Sequence, residues 1–183
     1  MREVYLVRHG HCVNSGTLLG QADAGLSPEG IAQAQALGRL FASLPVDRIV
    51  TSDLRRAVET AKWIAHFTGS APQHLNSSLE AVELDPRLRE ISYGQWDGLT
   101  WEQISETDPL AARRKLANWE GWTPPGGEPF STFVERVRSA WKSICTGSAH
   151  VTVLVAHYGV NAILAGDPEF QQDYGTAHKI VLE

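Results

Sequence analysis

The run Val151-Thr152-Val153-Leu154-Val155-Ala156 constrains this chain more than any other stretch. It is apolar without alternation, so neither face can turn to water, and it reads as a strand buried on both sides. Such a strand needs helices on both faces of its sheet. It ends at His157. Val4-Tyr5-Leu6-Val7 is a second short buried strand, and it runs into Arg8-His9-Gly10. Ligands of open α/β sheets bind outside the strand C-termini, where the loops leave a crevice. Arg8 and His9 are therefore expected to project from a rigid strand into a cleft. Gly10 is expected to let the backbone turn and approach a ligand without a Cβ in the way.

Between these strands the chain alternates. His11 to Gly25 is a polar loop too long to be a mere connector. Ser27-Pro28-Glu29 opens a helix, with Ser27 as N-cap and Pro28 at the first position. Ile31, Ala34, Leu37, Phe41 and Leu44 make its apolar face, and Pro45 ends it. Asp47 to Thr51 reads as a strand, and Ser52-Asp53 as the cap of a helix reaching about Phe67. The signal weakens from Gly69 to Arg87, where loops around one edge strand are expected. Residues 96–125 hold Trp96, Trp101, Trp119 and Trp122 and a helical stretch from Glu102 to Asn118, so they are expected to form a helical lid or insertion. Pro124-Pro125-Gly126-Gly127 is a break, and a helix from about Glu128 to Cys145 follows. A short helix after His157 and a strand at Lys179 to Leu182 complete the chain. This order predicts one α/β domain over 1–183, a three-layer α/β/α sandwich around a mostly parallel sheet.

Charge narrows the partners. The 183 residues carry a net charge of -5 and no lysine-arginine run, which argues against nucleic acid and anionic membranes. No apolar run reaches membrane-spanning length, and no charged leader precedes an apolar core. Cys12 and Cys145 fit no zinc or redox spacing and read as free thiols of a cytoplasmic protein. If the strands are neighbours, His9, His157, Arg8 and an arginine of the Arg55-Arg56 pair converge on one crevice. Guanidinium groups repel a metal cation but donate bidentate hydrogen bonds to phosphoryl oxygens, so this is a phosphate site.

Four segments together resemble the signatures of the histidine phosphatase (phosphoglycerate mutase-like) superfamily. They are Arg8-His9-Gly10, Ser52-Asp53-Leu54-Arg55-Arg56-Ala57-Val58-Glu59-Thr60-Ala61, Leu88-Arg89-Glu90-Ile91-Ser92-Tyr93-Gly94-Gln95-Trp96-Asp97-Gly98 and Ala156-His157-Tyr158-Gly159. They stand in the family's order and span nearly the whole chain. The resemblance implies an α/β/α sandwich and makes His9 the nucleophile. Arg8, Arg56 and His157 would hold the phosphoryl oxygens, and Glu90 matches the general acid of the branch acting on phosphate esters. The attacking nitrogen of His9 must be unprotonated, and its other nitrogen needs an acceptor such as a backbone carbonyl. The scheme requires no metal or other cofactor. Asn14, Gln21 and Tyr158 are further candidates for phosphate or entrance contacts. His11-Cys12 departs from the family's usual pair, Asn14 falls one position short of the family's asparagine, and Tyr158 replaces a common small residue.

The implied substrate is a small-molecule phosphate monoester. Leu19-Gly20-Gln21-Ala22-Asp23 and Pro125-Gly126-Gly127-Glu128 resemble segments of α-ribazole phosphatases, and similar segments occur in broad-specificity and sugar-phosphate phosphatases. Two alternatives stand beside hydrolysis. One is phosphoglycerate mutase-type transfer. The other is a non-catalytic sensor, which would keep Arg8, Arg56 and His157 but lose His9 or Glu90. The four tryptophans either stack on a substrate or fill a core beneath the helices. The last strand leaves a sheet edge that is exposed or pairs with a second copy, so monomer and homodimer both stay open.

Overall fold

A computed structural model describes residues 1–69 and 82–182 of the chain. Its elements, in order, are β1 (Arg2–Arg8), α1 (Pro28–Phe41), β2 (Arg48–Thr51), α2 (Arg55–Thr68), β3 (Glu83–Leu84), α3 (Trp101–Thr107), α4 (Pro109–Ala117), α5 (Phe130–Cys145), β4 (Val151–Ala156), α6 (Tyr158–Ala165) and β5 (Ala177–Leu182). Among the described residues these strands form one sheet in the order β3-β2-β4-β1-β5. All pairings are parallel except β1 with β5, which is antiparallel. The mostly parallel α/β architecture expected from the alternation is therefore the one found. Most of the weak 69–87 stretch lies outside the described residues.

β4 sits at the centre with all six residues buried, Thr152 being the one polar side chain among them. Side chains alternate across the sheet and feed two cores. Val4, Leu6, Val50 and Leu154 face Leu88, Phe133, Val137, Ala140 and Ile144, which seats α5 on one side. Val7, Ile49, Val153 and Val155 face Leu37, Phe41, Ala57, Ala61 and Ile64, which seats α1 and α2 on the other. A third, separate cluster joins Trp96, Ile104, Ala111 and Ala112, with Trp101 and Trp122 packed against it. Three of the four tryptophans thus fill a small core beneath α3 and α4. Trp119 is the exception, at 42% exposure.

Several local expectations shift. Ser27 caps α1 as predicted, its Oγ accepting from the Gly30 N–H at 3.1 Å, but Ile31 on that helix is exposed rather than inward. Ser52 and Asp53 do not cap α2, whose N-cap is Leu54 without a side-chain bond. Ser52 Oγ accepts the Leu54 N–H at 3.3 Å and bonds His157 Nε2 at 2.9 Å, and Asp53 receives the Arg89 fork at 2.7 and 2.5 Å. α5 starts at Phe130, not Glu128, because Pro129 disfavours helical geometry in the residue before it. Glu128 instead receives the Arg136 guanidinium at 2.6 and 2.7 Å. At Gly10 a Cβ would meet the Gly30 carbonyl oxygen at 2.5 Å, so glycine lets the chain leaving β1 lie against the first turn of α1.

Candidate active site

Register explains why two histidines meet. β1 and β4 pair in parallel with Arg8 opposite Ala156, so the next residue on each strand leaves the sheet at the same level. The His9 N–H donates to the Ala156 carbonyl at 3.1 Å, and the His9 and His157 rings lie 5.1 Å apart between centroids, edge to face. α2 begins beyond the neighbouring β2 and delivers Arg56, which is 1% exposed. A cavity of about 180 Å³ opens at this level, with Arg8, His9, Arg56, Glu90, His157 and Tyr158 all on its wall.

Each group is held by the chain around it. His9 Nδ1 donates to the Gly10 carbonyl at 2.8 Å. A carbonyl only accepts, so this bond puts the proton on Nδ1 and leaves the Nε2 lone pair free. Burial, then the Arg56 and Arg8 charges, lower the His9 pKa to about 3, which keeps the imidazole neutral at ordinary pH. His157 is pushed well below its usual value by burial first and then by Arg56. Arg56 donates to the Ala22 and Gly20 carbonyls at 2.8 and 2.6 Å, tying the long loop after β1 to the site. Arg8 donates to the Gln172 carbonyl at 2.6 Å and lies 3.8 Å from the Tyr174 ring centre, a cation–π contact. Arg8 Nε, Arg56 Nε and His157 Nδ1 are buried without a hydrogen-bond partner. The side chains that carry them line the cavity, and two guanidiniums there favour a ligand rich in acceptor oxygens.

Glu90 comes from the loop after β3. Its carboxylate accepts from the Ile91 N–H at 3.0 Å and the Gly159 N–H at 3.1 Å. Burial raises its pKa, against the pull of those two bonds and of Arg56 and Arg136. A raised carboxyl pKa holds a proton further up the pH scale, which suits a proton donor. Arg136 on α5 secures the loop by donating to the Arg87, Arg89 and Glu90 carbonyls at 2.7, 2.7 and 3.0 Å.

The structure brings His9, Arg8, Arg56, His157, Glu90 and Tyr158 together. It does not bring Asn14 or Gln21 to the cavity wall. Asn14 is exposed at a left-handed turn with φ 65°, where a short polar side chain is tolerated. Gln21 is spent on the backbone, donating to the Glu90 carbonyl at 3.2 Å. Sequence reasoning missed Tyr174, which lines the cavity, and Arg136, which positions the Glu90 loop. Arg136 interrupts no pattern on α5, so nothing in the sequence marks it. Tyr174 lies in a segment pinned to the end of β1 by the Gly175 N–H, which donates to the Arg8 and His9 carbonyls. Cys12 is buried with Sγ 3.6 Å from His9 Nδ1, and burial raises its thiol pKa, so it packs as a neutral thiol. Neither Cys12 nor Cys145 is in a disulfide. Among the described residues no group of three or more His, Cys, Asp or Glu side chains is placed to hold a metal ion. None of their helices is long and apolar enough to cross a membrane.

Two imidazoles at the ends of parallel strands, with Arg8 and Arg56 on the same small cavity, define an α/β protein with a cationic site at its strand ends. The chain belongs to the histidine phosphatase superfamily, branch 1, whose profile matches residues 4–175. It is similar to a glucosyl-3-phosphoglycerate phosphatase of Mycolicibacterium vanbaalenii, 33% identical across 90% of this chain and 72% of the relative. It is also similar to a protein named as a probable phosphoglycerate mutase from Erwinia tasmaniensis, 28% identical across 87% of this chain and 71% of that one. Among solved structures it superposes on the α-ribazole phosphatase of Shigella flexneri with a TM-score of 0.84, at 26% identity, covering 99% of this chain and 91% of that one.

Proposed function

We propose that this protein hydrolyses a small-molecule phosphate monoester through a phosphohistidine at His9. The observation that carries the reading is a His9 whose Nδ1 is held by the Gly10 carbonyl, on one cavity wall with Arg8, Arg56, His157 and Glu90. His9 Nε2 attacks phosphorus as the bond to the ester oxygen breaks, and Glu90 gives its proton to that oxygen, releasing the alcohol. Arg8, Arg56 and His157 hold the equatorial oxygens, whose charge a loose transition state spreads. Glu90, now a carboxylate, takes a proton from water as the water oxygen attacks the phosphohistidine. The N–P bond breaks, inorganic phosphate leaves, and His9 and Glu90 return to their starting states.

The test is release of inorganic phosphate from a panel of monoesters, with chelator present, by wild type and His9→Ala. Wild-type turnover is expected, with a loss on the order of 10⁴-fold or more in the variant. An acid-labile, alkali-stable phosphoryl group on rapidly quenched wild type identifies the intermediate. Equal activity in the variant rejects His9 as nucleophile. Exchange of phosphate between the two positions of phosphoglycerate, dependent on a bisphosphate primer, would make the reaction a mutase.

A further inference from the structure

A second cavity adjoins the one that holds His9, and the reaction steps above leave it unused. It encloses about 530 Å³, whereas the pocket at the strand ends encloses about 180 Å³. Small-ligand sites run roughly 300–1,000 Å³, so the smaller pocket suits a phosphoryl group and the larger one suits a molecule. The two share Glu90, Tyr93 and Tyr158. Glu90 stands at the junction where the ester oxygen would take up its proton, so the group attached to that oxygen enters the larger cavity.

The wall there has a definite chemistry. Ile91, Phe130, Phe133, Ile163 and Phe170 line it, and the exposed Trp119 stands on it as well. Beside the proton donor Glu90, the charged residues on it are the acids Glu120 and Asp167, with no lysine, arginine or histidine among the described lining. An aromatic ring entering would exchange water for apolar and aromatic surface. A carboxylate entering would lose hydration, find no cationic partner and face like charges.

We infer that, on the phosphatase reading above, the alcohol part of the substrate is a bulky, flat, uncharged aromatic group seated in this cavity, and that esters with a carboxylate on that part are rejected. This sets the chain apart in selectivity from relatives whose names specify phosphoglycerate compounds.

The experiment is steady-state phosphate release by wild type on two matched comparisons. Phenyl and 2-naphthyl phosphate differ in ring size with leaving groups of similar basicity. 2-Phenylethyl phosphate and 3-phosphoglycerate are both alkyl esters and differ in ring against carboxylate. Expected kcat/KM ratios are about 10-fold or more for naphthyl over phenyl and about 100-fold for phenylethyl over phosphoglycerate. Phe130→Asp should collapse the first ratio, and Ile163→Arg should shift the second towards the carboxylate. Independently of any variant, 2-phenylethanol should inhibit phenyl phosphate hydrolysis in the wild type. Turnover without these preferences, or with a preference for phosphoglycerate, overturns the aromatic assignment and leaves the phosphatase reading standing. No phosphate release from any ester rejects the phosphatase reading and this inference with it.

Discussion

The two adjoining cavities are built by opposite means. The smaller one is made where β1 and β4 end and α2 begins, and its polar groups are tied to backbone carbonyls and amides at several separate points. The larger one is walled by side chains of α5, α6 and the loops after β3 and α4, and most of its lining is apolar. Strand ends in a buried parallel sheet cannot shift without breaking the ladder, so they suit groups that must meet a phosphorus atom in fixed geometry. Surface helices and loops tolerate exchange of side chains, so they suit recognition of whatever hangs from the phosphate. Substitutions in the first region should therefore change all substrates alike, and those in the second should change the ratios between substrates.

The sharpest test of that division is Glu90→Gln, since Glu90 touches both cavities. Loss of its proton should lower kcat by about 10²–10⁴-fold on every alkyl ester and less on p-nitrophenyl phosphate, whose leaving group needs little help. A fall confined to aromatic esters would move Glu90 into recognition and break the comparison. Gly159→Ala comes next. Its Cβ would sit 2.5 Å from Glu90 Oε1, forcing the carboxylate aside. A displacement of about 1 Å can cost about 10²-fold, expected here in kcat with the Kd for inorganic phosphate unchanged. An unchanged kcat would show that Gly159 does not set the position of Glu90.

Acid stability probes the smaller cavity without substrate. Burial holds His9 and His157 below their usual value, and unfolding restores them to about 6.5. The unfolded chain then binds more protons below that pH, so this stability is complete above it and falls as pH drops, by about 1.4 kcal/mol per pH unit for each histidine. Glu90 acts in the opposite sense, because its raised pKa loses stability as pH rises, and a Glu90→Gln background removes it. Urea midpoints in phosphate-free buffer at about pH 7.5 and about pH 5 measure the slope, and a flat profile would mean the imidazoles are solvated. The smallest effect is expected from Tyr174→Leu. Losing the ring 3.8 Å from the Arg8 guanidinium should cost about 0.5–1 kcal/mol, raising the Kd for phosphate about 2- to 5-fold by calorimetry. A change in ester preference instead would place Tyr174 with the recognition groups.

What the sequence determined by itself follows from short-range rules. The apolar run of Val151 to Ala156, with Thr152 its one polar member, required a strand covered on both faces, and alternation with helices required a mostly parallel sheet. The residues at the strand ends, Arg8, His9 and His157, were legible because a strand terminus and its next residue are adjacent in the chain. Ser27 was legible as a cap for the same reason. Only the tertiary structure decided what depends on partners distant in sequence. Parallel register set the His9 and His157 rings 5.1 Å apart. Arg136 reached back across α5 to the Glu90 loop, Gln21 was taken by the Glu90 carbonyl, and Asp53 went to Arg89 instead of capping a helix. The apolar stripe of α5 announced that Phe130 and Phe133 have an apolar side, but a stripe is the same whether it meets a core or a cavity. Which of the two it meets is set by the packing of α6 and the loops around it, because burial depends on every element that arrives at a surface and not on the one that carries it.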